Sequence, residues 1–107
     1  MMENKPTCEI DKNGDKRCKL NGVYHREDGP AVIGVSGFKE WYIHGKRHRL
    51  DGPAVEFADG RKFWCVNGKE ITTKIAQWAK ENDIDLDNLS EDDTLLIKLI
   101  WDDYGKT

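Results

Sequence analysis

Basic side chains recur at a fixed spacing in this chain, and their chemistry suits the binding of an anion. The stretch His25-Arg26-Glu27-Asp28-Gly29-Pro30-Ala31-Val32 returns 23 residues later as His48-Arg49-Leu50-Asp51-Gly52-Pro53-Ala54-Val55, identical at seven of eight positions. A guanidinium presents a planar, bidentate fork to phosphate or carboxylate. Two such His-Arg loops (residues 25–32 and 48–55) could form a paired cationic site, with these candidate residues: His25, Arg26, Lys46, Arg47, His48 and Arg49.

The same loops also have a structural interpretation, which we favour. Aspartate side chains in turns hydrogen-bond to groups close by, so Asp28 and Asp51 can hold the Arg or His of their own loop. A motif that repeats with an architecture usually belongs to that architecture. The residues alone leave both roles open.

Other site chemistry finds little support in the residue pattern. The histidines, Asp28, Asp51 and the cysteines match no zinc-ligand spacing, so we expect no metal site and no cofactor. No local Cys and His arrangement marks an activated thiol. We therefore expect that the protein is not an enzyme.

The cysteines and the N-terminus bear on the cellular compartment. Cys8, Cys18 and Cys65 are odd in number and lack CxxC spacing, so we predict free thiols, as in a reducing compartment. The chain has no run of about 18 apolar residues and begins without the apolar segment of a secretory signal. We expect a cytoplasmic protein that does not bind membranes.

The net charge of −3 hides an asymmetry between two parts of the chain. Residues 1–71 hold 13 Lys and Arg against 11 Asp and Glu, whereas residues 72–107 hold four against nine. No broad basic face is visible, so we do not expect nucleic acid as a direct ligand. The acidic part could occupy a basic site on another protein, or its carboxylates could simply cap a helix. The residues of this alternative acidic surface are Asp92, Asp93, Asp102 and Asp103.

The 23-residue period must be placed on structural elements before function is considered. Asn-Gly and Asp-Gly pairs between short apolar runs predict tight hairpin turns. We expect one antiparallel sheet of β-hairpin repeats over residues 7–71, with strands at 39–43 and 62–66. Trp41 and Trp64 occupy equivalent positions and are predicted to form the core of this sheet.

Beyond residue 71 the apolar period changes from 2 to 3.6, which predicts helices. The first helix should start with a Thr N-cap at residues 72–73, run to about Glu81 and bury Ile75, Trp78 and Ala79. The second should start at the capping-box pattern of residues 90–93 and stop near Gly105. We expect it to pack against the sheet through Leu95, Leu96, Leu99, Ile100 and Trp101.

The predicted fold is therefore a single α+β domain over residues 1–107. Hairpin repeats form residues 7–71, and two C-terminal helices in residues 72–107 close the open end of the sheet.

The repeat resembles the HRxDGPA-type repeat of small proteins of tailed bacteriophages, and more distantly the MORN repeat. The residues that carry the resemblance are Asn21-Gly22, His25-Arg26, Asp28-Gly29-Pro30-Ala31, Trp41-Tyr42, Gly45-Lys46, His48-Arg49 and Asp51-Gly52-Pro53-Ala54, and the resemblance covers about 60 of 107 residues. It implies a phage or prophage origin and a binding module. MORN proteins are similar in using short hairpins for protein or lipid contact, but the fixed Asp-Gly-Pro-Ala element departs from their pattern.

From the residues and this resemblance we expect a small phage-type protein-binding module with a MORN-like sheet, acting in the host cytoplasm. Its partner would be a bacterial protein, with inhibition of a host defence or nucleic-acid-processing protein as the expected effect. Two alternatives stay open. One is the sequestration of a nucleotide or another phosphate-bearing small ligand by the His-Arg loops. The other is a structural or assembly protein that oligomerises through sheet edges.

Overall fold

The computed structural model describes residues 5–106, which form short strands followed by two helices in an α+β arrangement, as predicted. The predicted domain also includes residues 1–4 and 107, which lie outside this range. The elements are β1 Thr7–Ile10, β2 Lys16–Leu20, β3 Val23–Tyr24, β4 Val32–Ile33, β5 Lys39–Glu40, β6 Tyr42–Ile43, β7 Lys46–Arg47, β8 Val55–Glu56, β9 Lys62–Phe63, β10 Cys65–Val66, β11 Lys69–Glu70, α1 Thr72–Glu81 and α2 Glu91–Trp101.

The strands of the described range form three antiparallel sheets where the sequence predicted one. The main sheet has the order β1-β2-β4-β5-β8-β9, with β3 also paired to β2. Two separate two-stranded ribbons are formed by β6 with β7 and by β10 with β11. The predicted continuous strands 39–43 and 62–66 are therefore wrong, because each divides between the main sheet and a ribbon.

Each divided strand breaks at a tryptophan whose backbone groups have partners in two different segments. The N–H of Trp41 donates to the carbonyl of Ala54 at 2.8 Å, and the carbonyl of Trp41 accepts from the N–H of His48 at 3.1 Å. At the equivalent Trp64, the N–H donates to the hydroxyl of Thr72 at 3.0 Å. The chain thus changes its hydrogen-bonding neighbour at the tryptophan and cannot continue a single ladder.

The short hairpin turns are alike in every unit and agree with the predicted turn signals. The residues Asn21, His44 and Asn67 have φ of 53°, 49° and 51°, and the glycine after each has φ of 83°, 81° and 82°. Two successive positive φ angles are the geometry of a type I′ turn, which matches the twist of the flanking strands. Asparagine and glycine tolerate this left-handed backbone better than other residues, which explains the Asn-Gly signature.

A hydrophobic core cluster lies between the last ribbon and the two helices. It consists of Trp64, Val66, Ile71, Ile75, Ile97 and Trp101, all buried. The prediction that Trp64 is a core residue is confirmed. The equivalent prediction for Trp41 is wrong, because its half-buried ring is covered by the guanidinium of Arg49, 3.8 Å from the ring centre.

The first helix confirms the predicted bounds but not the predicted cap. Ile71 stands at its N-cap and provides no side-chain cap, while the Thr72 hydroxyl accepts the bond from Trp64. Ile75 and Ala79 are buried, as predicted, whereas Trp78 is only partly buried against the core cluster.

The second helix begins as predicted and buries a different face. The capping box is present, with the Ser90 hydroxyl accepting from the Asp93 N–H at 3.0 Å and the Asp93 carboxylate accepting from the Ser90 N–H at 3.1 Å. The helix ends at Trp101, four residues before the predicted Gly105. Its contact with the core is made by Ile97 and Trp101, which lie one turn apart.

Four of the five side chains predicted to pack on the sheet point into solvent instead. Leu95 is 62% exposed, Leu96 37%, Leu99 80% and Ile100 53%. The physical reason is that residues 95–101 are apolar at every position except Lys98, so this helix is apolar on two opposite faces.

The cysteine prediction is wrong for two of the three residues. Strand β1 pairs with β2 in a register that sets Cys8 directly opposite Cys18, and the two form a disulfide. Cys65 is free and buried, and burial raises the pKa of its thiol.

This disulfide can be tested by intact mass after alkylation with iodoacetamide. In denaturant without reductant we expect a single alkylation, at Cys65, and with reductant we expect three. Three alkylations without reductant would contradict the bridge between Cys8 and Cys18.

Candidate functional site

Each His-Arg loop is organised around its arginine, which is bound within the loop. Arg26 donates from Nε to Asp28 Oδ1 at 2.8 Å and from Nη1 to the carbonyl of Pro30 at 3.2 Å. Arg49 makes the same bonds to Asp51 and Pro53, both at 2.9 Å. The aspartate of each loop thus holds the arginine of the same loop, as the structural interpretation of the motif predicts.

The glycine of the motif leaves room for the guanidinium. A Cβ on Gly52 would lie 2.6 Å from Arg49 Cζ, and one on Gly29 would lie 3.3 Å from Arg26 Cζ. Arg49 has more contacts than Arg26, because it also donates to Glu56 at 3.2 Å and stacks on the ring of Trp41. The loop at residues 48–55 is therefore the more tightly packed copy.

The histidine of the motif connects each loop to the next hairpin turn. His25 Nδ1 accepts from the N–H of His44 at 2.9 Å, and His48 Nδ1 accepts from the N–H of Asn67, also at 2.9 Å. Each donor is the first of the two left-handed residues of a type I′ turn. These imidazoles must therefore be unprotonated at Nδ1.

Burial lowers the pKa of His48 below its ordinary value, and the charge of Asp102, whose Oδ1 lies 3.8 Å from His48 Nε2, opposes that shift. The cation of Lys106 adds to the lowering. His48 is therefore neutral at pH 7 and bound to the turn of the following unit.

A groove of about 520 Å³ lies between the two loops and α2, and it gathers part of the predicted cationic site. Arg26, His48 and Arg49 line it, together with Lys98 from α2. Lys98 was not identified from the sequence, because only the packing of α2 brings it to the loops.

The groove is not a purely cationic surface. Glu27, Asp28 and Asp51 also line it, and each arginine already binds a carboxylate of its own loop. An incoming anion would have to displace those carboxylates or share their partners.

The other predicted basic residues lie elsewhere. His25 is only 2% exposed and does not reach the groove surface. Lys46 and Arg47 form the exposed strand β7, where Arg47 donates to Glu40 Oε2 at 2.7 and 3.2 Å. The structure thus brings together half of the six predicted basic residues.

The predicted acidic residues lie at the two ends of α2. Asp92 and Asp93 stand in its first turn, and Asp93 is used in the capping box. Asp102 and Asp103 follow its last turn, about 15 Å away at the rise of an α-helix. They bracket the helix rather than form one cluster.

The four exposed apolar side chains of α2 lie between these acidic ends. Leu95 and Leu99 are one turn apart, as are Leu96 and Ile100, so the four share one side of the helix. This set of four residues, the outer face of α2, points away from Ile97 and Trp101. Sequence reasoning identified the residues but assigned them to the core.

The described residues contain neither a metal-binding cluster nor a membrane-spanning helix. Across residues 5–106, no group of three or more His, Cys, Asp or Glu side chains is placed to hold a metal ion. Neither helix is long and apolar enough to cross a membrane. Comparisons with protein-family models, with curated proteins and with solved structures found no match for the chain.

The two glycines of the motif offer a matched test of the arginine packing. We expect Gly52→Ala to lower the free energy of unfolding by about 1–3 kcal/mol, because the new Cβ meets an immobilised guanidinium. Gly29→Ala should cost less, since its Cβ has more room. Urea denaturation measures both, and equal losses would contradict the proposed difference in packing.

The bond from Asn67 to His48 predicts a pH dependence of stability. Because the pKa of His48 is lower in the folded chain, its contribution is fully present above the unfolded value of 6.5 and lost as the pH falls through the folded value. Between pH 7 and 5.5 we expect the wild type to lose more stability than His48→Gln, by at most about 1.4 kcal/mol per pH unit.

The matched control for this pH test is His44→Asn. It removes an exposed histidine and places at residue 44 the amino acid found at the equivalent positions 21 and 67, so the turn is kept. We expect it to follow the wild type in denaturation curves taken at each pH. Parallel curves for the wild type and His48→Gln would show that His48 does not carry the effect.

Proposed function

We propose that this protein binds another protein through the outer face of α2. The observation that carries the proposal is the exposure of Leu95, Leu99 and Ile100 on a helix whose opposite side is already buried. Contiguous exposed apolar patches on small proteins commonly mark interaction sites. Within residues 5–106, these side chains remain largely exposed after folding.

The geometry of α2 supports recognition of the helix by a groove on the partner. Anchors one turn apart, here Leu95 with Leu99 and Leu96 with Ile100, are the pattern by which helices enter apolar grooves. The capping box fixes the start of α2, and the burial of Ile97 and Trp101 fixes its rotation. A helix held in this way loses little conformational entropy on binding, which favours affinity.

The resemblance to phage repeat proteins supports a bacterial host protein as the partner. We propose that binding inhibits that protein, with defence and nucleic-acid-processing proteins as the classes to test first. The repeat units then serve as the scaffold that carries α2.

The two alternatives draw less support from the geometry. Anion capture by the His-Arg loops would compete with the bonds that Arg26 and Arg49 make to their own aspartates. Assembly through sheet edges would use β1, whose four residues are exposed, or the two-residue β9 at the other edge of the main sheet.

A capture experiment with matched variants tests the proposed function. Immobilised wild type, Leu95→Gln/Leu99→Gln and Ile10→Gln/Val35→Gln are incubated with bacterial lysate, and the retained proteins are quantified by mass spectrometry. Ile10 and Val35 are as exposed as the helical leucines but lie outside α2, so this second variant is the control.

We expect at least one protein to be retained by the wild type and by the control, and lost with Leu95→Gln/Leu99→Gln. All three chains should unfold within about 0.5 kcal/mol of one another, because these are exposed positions. Equal retention by all three, or retention of nothing, would contradict the proposed function.

A further inference from the structure

The charges around the outer face of α2 carry an inference about the partner, which rests on the proposed function. We infer that the partner presents an apolar groove with a lysine or arginine at each end. The groove should be roughly 16 Å long, the axial distance between Asp92 and Asp103 at the α-helical rise. The partner is thus a protein with a basic-rimmed groove.

Two carboxylates lie at opposite ends of the outer face of α2. Asp92 precedes the four apolar side chains of the outer face and Asp103 follows them, so each end of the apolar surface carries a negative charge. The side chain of Asp103 is 91% exposed, and its pair with Lys106 at 3.3 Å is a surface pair. Such exposed pairs are weak, so the carboxylate remains available to a partner.

The same carboxylates disfavour another copy of this chain as the occupant. If two α2 helices met antiparallel through their outer faces, Leu95 would face Ile100 and Asp92 would face Asp103. If they met in parallel, Asp92 would face Asp92. Both arrangements oppose like charges at both ends, which is unfavourable at a protein interface.

The helical region as a whole also carries a net negative charge. Residues 72–107 carry nine acidic against four basic side chains, so the whole helical region is negative. A negative field speeds association with a positive partner and repels an anionic lipid surface. The local carboxylates and the regional charge therefore favour the same kind of partner.

The test uses the protein retained by the wild type from bacterial lysate, identified by mass spectrometry and then purified. Its Kd is measured by isothermal titration calorimetry at 50 and 300 mM NaCl against the wild type, Asp92→Asn/Asp103→Asn and Asp83→Asn/Asp87→Asn. The last variant removes the same net charge from exposed positions outside α2 and is the matched control.

We expect Asp92→Asn/Asp103→Asn to weaken binding about tenfold at 50 mM NaCl, as for the loss of two exposed ion pairs. The control should change Kd by less than about twofold, and the wild-type Kd should rise with salt. A different result would separate the two proposals. If Leu95→Gln/Leu99→Gln abolishes binding but neither Asp92→Asn/Asp103→Asn nor salt changes Kd, the inference of a basic-rimmed groove is wrong. The proposed function would still stand.

Analytical ultracentrifugation of the wild type alone tests whether a second copy of the chain binds the outer face of α2. We expect a monomer at about 100 μM, because like charges oppose pairing of two α2 helices. A dimer that Leu99→Gln dissociates would make a second copy the occupant and overturn the inference.

Discussion

The repeat units of this protein depend on a hydrogen bond from a hairpin turn to the imidazole of the preceding loop, which is buried at His25 and partly buried at His48. A residue in the left-handed conformation points its backbone N–H away from the strand ladder, and an N–H buried without a partner costs about 1–3 kcal/mol. His25 and His48 accept these N–H groups from residues 44 and 67, which are 19 positions further along the chain. The loop of one unit is thereby fixed to the turn of the next.

The rest of the His-Arg motif can be understood from the same packing. The arginine binds the aspartate and the proline carbonyl of its own loop, the glycine leaves space for the guanidinium, and Ala31 and Ala54 are completely buried. The histidine, arginine, aspartate and proline of the motif therefore all have hydrogen-bond partners within the chain. The arginines that suggested an anion site are therefore already bound to groups of their own loops in the folded chain.

Local features of the fold could be predicted from the sequence, because they depend on neighbouring residues. The Asn-Gly turns follow from backbone conformation, and the start of α2 follows from Ser90 and Asp93. Features set by distant partners could not be predicted. Trp41 and Trp64 hold equivalent positions, yet one meets Arg49 and the other meets the helices. The disulfide partner of Cys18 follows from strand register, and the outer face of α2 was misassigned because apolar residues on both faces hide which one is buried.

Ile71 occupies the position that would hold a third motif histidine, and it shows how the array ends. Its N–H donates to the Trp64 carbonyl, as the N–H groups of His25 and His48 donate to Cys18 and Trp41. Its side chain packs in the helical core, whereas the motif histidines each accept a hydrogen bond from the next hairpin turn. The backbone hydrogen bonds and the turn-to-imidazole bonds that join neighbouring units link residues less than one 23-residue period apart, so duplication of a whole unit would keep them. The chain can therefore lengthen its scaffold by duplication and still end in the same helical pair.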